Sequence, residues 1–236
     1  GIKYVYSVPF IQQLGFFSAH EGKIDENIFQ AIFSICRYGE YYFNYANAVE
    51  GAVERVNYVL SLNKPFSELS KTFSDDARQA IKKTFSTSLI YGHAGLSKPI
   101  DATTKLYGSR FKKIAPRDYK NFARLCKGLS AQDAVVLRKA TDENGNMLAI
   151  ILLLKYRDRL YNILNATTTG GRQFKANYFL LANVWKEFES SNLVFDFEGS
   201  ELPGVKEFYE KFSPKNEPYF SFRFNYLKFP VNIFKK

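Results

Sequence analysis

From Met147 to Leu154 the chain carries an uninterrupted run of apolar side chains. Successive side chains of a strand point to opposite faces, so a strand built from such a run has to be covered on both sides. Two further strand-like stretches flank it: Ala134 to Ala140, joined through Asp142-Glu143-Asn144-Gly145, and Leu160 to Asn165, joined through Arg157-Asp158. The spacing predicts a three-strand antiparallel meander with a buried middle strand. The run is far shorter than the roughly 20 residues a helix needs to cross a bilayer, and no membrane span is expected.

Helical periodicity surrounds this meander. Ile28, Phe29, Ile32, Phe33 and Cys36 form one stripe of a helix capped by Asp25 and running to about Arg37, with Gly39 as its stop. Ser74 is expected to cap a helix from Asp75 to Phe85. Pro116 fits the first position of a helix ending near Lys127, with Gly128 as its cap. Tyr4 to Val8, Tyr41 to Tyr45 and Arg55 to Leu62 read as strands. After the meander, Thr167 to Arg172 reads as a loop leading into a helix from Gln173 to Ser190, whose apolar stripe is Phe174, Tyr178, Leu181, Trp185 and Phe188. A strand from Leu193 to Phe197, a helix from Pro203 to Phe212 and a last strand from Tyr219 to Asn225 complete the pattern. Ser86 to Ser109, rich in Gly, Ser, Thr and Lys, reads as a linker or mobile loop. Helices alternating with strands beside an antiparallel meander predict an α/β (α+β) sandwich with a mixed central sheet.

The net charge of +10 is regional: Lys71 to Lys127 alone carries a balance of +9. Such a patch suits a phosphate-bearing ligand, nucleic acid included, and it equally suits the solvated faces of two helices. Cys36 and Cys126 are too few for a disulfide framework and lack partners at metal-ligand spacing. They read as small buried hydrophobes in a reducing, cytoplasmic compartment, with no metal. The first residues read as a strand and not as a secretion signal. His20 and His93 have no Ser or Cys partner in a nucleophile turn, and no metalloprotease, Walker or dinucleotide-binding signature occurs. Hydrolase, ATPase and dehydrogenase readings therefore drop away.

Three short segments could carry chemistry. At Thr169-Gly170-Gly171-Arg172, free amides at a helix start, made approachable by glycine and assisted by an arginine, suit phosphate; a tight strand-to-helix connection would use the same residues. In Phe195-Asp196-Phe197-Glu198-Gly199-Ser200, Asp196 and Glu198 share one face of a strand and could accept a proton from an amine. The alternative is that Asp196 pairs with a basic neighbour while Glu198 serves the following turn. In the helix after Pro203, Val205, Phe208 and Phe212 turn to the core and leave Tyr209 at the edge, either as a rim residue or as a proton donor to a leaving group.

Taken in order, Gln12-Gln13-Leu14-Gly15, Arg55 to Leu62, Thr169 to Arg172, Phe195 to Ser200 and Gly204 to Phe212 resemble the series found in a FemAB-type member of the GNAT acyltransferase superfamily. The resemblance covers most of the chain, with Ser86 to Ser109 the main gap. It implies two fused GNAT-like units with mixed, largely antiparallel central sheets. These are expected at about 1–85, with the chain entering inside the first unit, and at 110–225, joined by 86–109 and followed by a tail at 226–236. It further implies transfer of an acyl or aminoacyl group from acyl-CoA (acetyl-CoA among them) or aminoacyl-tRNA to an amine acceptor. Thr169, Gly170, Gly171 and Arg172 would hold the anionic donor, Asp196 or Glu198 would deprotonate the amine, and region 71–127 could meet nucleic acid. Peptide-bridge ligases of this family show Phe-Lys where this chain has Phe208-Tyr209, and the tyrosine is similar to the thiolate-protonating Tyr of other GNAT enzymes. The glycine turn also lacks the full Arg-x-x-Gly-x-Gly pattern of acyl-CoA enzymes. The competing class is a non-catalytic, degenerate module of the same fold that binds RNA or another polyanion.

Overall fold

The computed structural model describes residues 2–5, 8–16, 26–97, 100–101, 114–201 and 204–234. Its strands are β1 (Tyr4–Val5), β2 (Tyr38–Phe43), β3 (Val53–Arg55), β4 (Tyr58–Ser61), β5 (Ile90–His93), β6 (Val135–Thr141), β7 (Met147–Tyr156), β8 (Arg159–Thr167), β9 (Val194–Asp196), β10 (Lys215–Asn216) and β11 (Tyr219–Asn225). The principal helices are α1 (Glu26–Ile35), α2 (Phe66–Leu69), α3 (Asp75–Phe85), α4 (Pro116–Ser130), α5 (Thr169–Gln173), α6 (Ala176–Glu187), α7 (Val205–Glu210) and α8 (Val231–Phe234). Two mixed, mostly antiparallel sheets result, in the orders β1-β2-β11-β3 and β10-β4-β9-β8-β7-β6-β5. This is the expected α+β class.

The chain divides into two compact units, Gly1–Asn57 with Asn216–Lys236, and Tyr58–Lys215. This differs from boundaries at 85 and 110, and the cause is strand pairing. The expected single strand Arg55 to Leu62 is two strands in different sheets: β3 pairs with β11, whereas β4 pairs with β9. β11 also pairs with β2, so residues 219–225, placed by sequence in the second unit, build the first. The tail residues Val231–Phe234 form α8.

In the first unit the core is aromatic. Phe29 and Phe33 of α1 meet Phe43 and Phe224 at ring-centroid distances of 5.5 and 4.9 Å, and Phe43 is fully buried. Edge-to-face and tilted contacts of this kind add roughly 0.5–1.5 kcal/mol each beyond area burial. Asp25, the expected cap of α1, lies outside the described residues. Gly39, expected to stop that helix, instead lies within β2 and pairs with Val5 of β1.

In the second unit the meander forms as expected, and Leu148 to Leu153 on β7 are all buried. Asp142 fixes the first turn by accepting the N–H groups of Asn144 and Asn146 at 3.0 and 2.8 Å. Ser74 caps α3 by accepting the Ala77 N–H at 3.3 Å. Part of the stretch expected to be a linker is β5, paired with β6 from Ile90↔Thr141 to His93↔Arg138; residues 98–99 and 102–109 lie outside the described set. α4 runs through Gly128 to Ser130, because the Ser130 hydroxyl donates back to the Cys126 carbonyl and Gly128 keeps a helical backbone. Cys126 is fully buried, as a small hydrophobe would be, and burial pushes its thiol up to about 11.

The expected helix Gln173 to Ser190 is also broken. Lys175 takes a left-handed backbone, φ 53°, which separates α5 from α6 and leaves Phe174 52% exposed, outside the stripe. Leu181 and Trp185 of that stripe are fully buried. Trp185 packs edge-on against Phe73, Phe195 and Phe212 at 5.5, 5.7 and 4.8 Å. This dry aromatic knot clamps α6 onto the sheet beneath it.

Candidate active site

β8 and β9 are parallel neighbours only over Arg159↔Val194, Leu160↔Phe195 and Tyr161↔Asp196. β8 continues to Thr167 along β7, while β9 stops. The reason is local: Glu198 and Gly199 both adopt left-handed backbones, φ 49° and 58°, which a regular strand cannot accommodate. The parallel pair therefore parts, and the edge of β8 beyond Tyr161 has no strand beside it among the described residues. Partings at the carboxyl ends of parallel strands are natural ligand crevices.

The two carboxylates of this segment have different environments. Asp196 is fully buried, and its carboxylate accepts from Arg159 Nη1 at 2.7 Å and from the Glu198 N–H at 3.1 Å. Arg159 is itself 7% exposed. Glu198 is half-buried, and its carboxyl is held well above the usual carboxylate range, first by desolvation and then by the Asp196 charge, with Arg159 opposing. The pair thus consists of a carboxylate matched to an arginine and an acid that holds its proton more tightly than an ordinary glutamate. Asp196 is committed to Arg159 and to its own turn, and it is not placed to take a proton from an amine.

Tyr209 is 7% exposed, which corrects its expected edge position. α7 packs its ring on Phe197 at 4.5 Å, and Asn162 of β8 donates Nδ2 to its hydroxyl at 3.3 Å and to the Phe197 carbonyl at 3.4 Å. A carbonyl only accepts, so the amide orientation of Asn162 is fixed, and Oδ1 is left buried without a partner. Asn162 pairs with Leu153 and Asn165 with Ile151, with a register shift between Leu152 and Leu153. Cross-strand partners share a face, so this bulge brings the two asparagines to one side of the sheet. The adjoining end of α7 is tied to β4 by Glu210, which accepts from the Tyr58 hydroxyl at 2.7 Å; burial and that carboxylate push the Tyr58 phenol up to about 12.

The glycine turn is the first turn of α5, not a loop. Thr168 caps it by accepting the Gly171 N–H at 3.0 Å, and the Arg172 N–H goes to the Thr168 carbonyl at 3.0 Å. A Cβ at Gly171 would sit 2.1 Å from the Leu148 carbonyl oxygen, so this glycine is there to let the helix lie against β7. Gly170 has no such neighbour, its nearest being Leu148 Cδ2 at 3.8 Å. Thr169 and Arg172 are exposed. β8 runs from the parting at Tyr161 to Thr167, just before this turn, and is what links the two along the sheet.

Arg159 and Asn162 were not picked out from sequence. Arg159 sits directly after the turn Arg157-Asp158, where a charged residue reads as part of the loop, and Asn162 interrupts an apolar strand at a position that could face either side. The available signal was a polar residue inside a strand whose neighbour is apolar on both faces.

No family profile matches the chain, and no curated protein matches it by sequence. Solved structures do. FemX aligns over 85% of this chain and 75% of its own, at 12% identity and a TM-score of 0.61. The C-terminal domain of a candidate lysylphosphatidylglycerol synthetase from Agrobacterium fabrum aligns over 89% of this chain and 74% of its own, at 12% identity and a TM-score of 0.54. L-PGS from Bacillus licheniformis has the same coverage and identity, with a TM-score of 0.51. The chain therefore has the fold that these proteins share, in agreement with the FemAB-like resemblance of its sequence. Among the described residues no helix is long and apolar enough to cross a membrane.

Proposed function

We propose that the chain is a transferase that moves an acyl or aminoacyl group from an acyl-CoA or aminoacyl-tRNA donor to an amine. The observation that carries this reading is the parting of β8 from β9 with the Tyr209 hydroxyl delivered to its base by α7 and Asn162. Lysylphosphatidylglycerol synthetase is named for a product bearing a lysyl group, and a common fold supports a reaction of that class.

In this reading the donor's anionic part lies at the start of α5, against Thr169, Gly170 and Arg172, while Gly171 keeps that helix close to β7. The reacting carbonyl lies in the parting. The amine attacks it directly, and positioning supplies most of the acceleration. Glu198 in its ionised form, its proton lost to solvent beforehand, or a water it holds, takes the amine proton; a raised pKa makes it the stronger base once ionised. Tyr209 gives its proton to the leaving group. The Asn162 N–H group aimed at the phenol oxygen stabilises the charge left behind.

Tyr209→Phe keeps the ring and deletes the hydroxyl. Turnover should fall about a hundredfold while donor affinity stays near that of the parent, measured by steady-state transfer from acetyl-CoA, longer acyl-CoAs and charged tRNA. Unchanged turnover with every accepted donor removes Tyr209 from the chemistry. Absence of transfer from all of them, together with RNA binding that survives Arg172→Ala, would assign the chain to the non-catalytic polyanion-binding class.

A further inference from the structure

At the far end of α6 from the glycine turn, α2, α3, Lys186 near the end of α6 and Glu189 just after it line an open surface groove of about 510 Å³. Sites for small organic molecules commonly measure roughly 300–1,000 Å³. The groove is wholly within the second unit, and α6 spans 12 residues, so at 1.5 Å per residue it lies about 18 Å from the start of that helix.

α3 turns Arg78, Ile81, Lys82 and Phe85 into it, positions that share one helical face. Opposite them stands Lys186, whose ammonium lies 4.1 Å from the Phe85 ring centroid and 5.5 Å from that of Phe66. The contact with Phe85 fixes the position of the ammonium, while the exposed Lys186 leaves its charge open to an anion in the groove. Glu189, the carboxylate of the lining, accepts the Phe66 N–H and so caps α2. Arg78 is oriented by Asp75 and by the Lys71 carbonyl at 3.0 Å. Among the described residues, no carboxylate pairs with Lys82 or Lys186. Two unpaired ammonium groups match the charge of a phosphate monoester, about −1.5 to −2 at neutral pH. Ser67 and Ser70 supply hydroxyl donors on the α2 side. The groove holds more than a phosphate, and its remaining wall is apolar, built by Ile81, Phe85 and Phe66.

We propose that this groove is a second ligand site, separate from the transfer site, which binds a phosphate monoester carrying an apolar body. The phosphate lies between Lys82 and Lys186, and the body runs along Phe85. This accounts for part of the basic region that the transfer site does not use.

The test is calorimetric titration of the full chain with phenyl phosphate, hexyl phosphate and inorganic phosphate. At least one organic phosphate should bind about tenfold or more tighter than inorganic phosphate. Preference for phenyl points to a nucleotide-like body and preference for hexyl to a lipid-like chain. Lys82→Glu, at an exposed position, should weaken organic phosphate binding about tenfold or more, the scale of one charged hydrogen bond. Lys186→Gln should do the same, while Tyr209→Phe and Arg172→Ala at the other site should change nothing. Indistinguishable organic and inorganic phosphates, organic phosphate affinity unmoved by Lys82→Glu, or no binding at millimolar concentration would each overturn the proposal.

Discussion

Two segments of the second unit read alike in sequence, since each places glycine beside polar residues at the end of a strand, yet the folded protein uses them differently. At Thr168 to Arg172 the Gly171 and Arg172 amides are satisfied by Thr168 and the tight constraint is steric: Gly171 touches the Leu148 carbonyl. At Asp196 to Ser200 the constraint is electrostatic, with two neighbouring carboxyl groups sharing one buried arginine. The first segment is a mount fixed by its own cap and by its close approach to β7. The second holds opposed charges beside an acid that keeps its proton more tightly than usual, and so has a protonation state that responds to pH.

The contrast is open to direct attack. The largest effect is expected from Arg159→Met, which strands the buried Asp196 carboxylate. Removing one partner of a buried pair typically costs about 3–5 kcal/mol, and urea unfolding should show a loss of that size, part of it recovered when Asp196→Leu is added. Next comes Gly171→Ala, for which overpacking against backbone predicts a loss of roughly 1–3 kcal/mol. Gly170→Ala, with open space around it, should be neutral or slightly stabilising, because alanine favours helix over glycine by up to about 1 kcal/mol. Equal effects of the two alanines in thermal unfolding would show that sterics do not govern this turn.

The smallest effect concerns Glu198→Gln, and it depends on pH. The folded state holds the Glu198 proton more tightly than the unfolded chain does. Below the ordinary glutamate range both states are protonated and the variant should match its parent. As pH rises above that range the unfolded chain gives up its proton first, and the parent loses stability until the folded group also ionises. Glutamine has no proton to lose, so the variant's advantage should grow as pH rises above the ordinary glutamate range in urea titrations. A gap that shrinks with rising pH would reverse the assigned direction.

Much of this architecture was legible in the sequence where local pattern and tertiary context agree. The run from Met147 to Leu154, bounded by turn residues, predicts a doubly covered strand, and Ser74 before two aspartates signals a helix start whatever packs on it. The misreadings fall where long-range pairing decides. Nothing local at Val56-Asn57 says that the strand before it joins one sheet and the strand after it another. Nothing in Phe174-Lys175 announces a left-handed residue, since lysine seldom adopts one. The buried state of Tyr209 and its tie to Asn162 depend on a bulge in β8 that follows from the register with β7. The pairing of Asp196 with a basic neighbour, one of the two alternatives for that residue, required only that some arginine lie opposite; which one is a matter of register.

β11 lies between β2 and β3, and without it those strands share no edge. A chain made from its amino end therefore has all of Tyr58–Lys215 in hand before the strand that joins β2 to β3 has been synthesised. The second unit can condense while the first still waits. A released chain that stops just before Tyr219 should have β4 to β9 resisting protease and residues 38–55 cut, with protection of the earlier segment appearing only when β11 is restored.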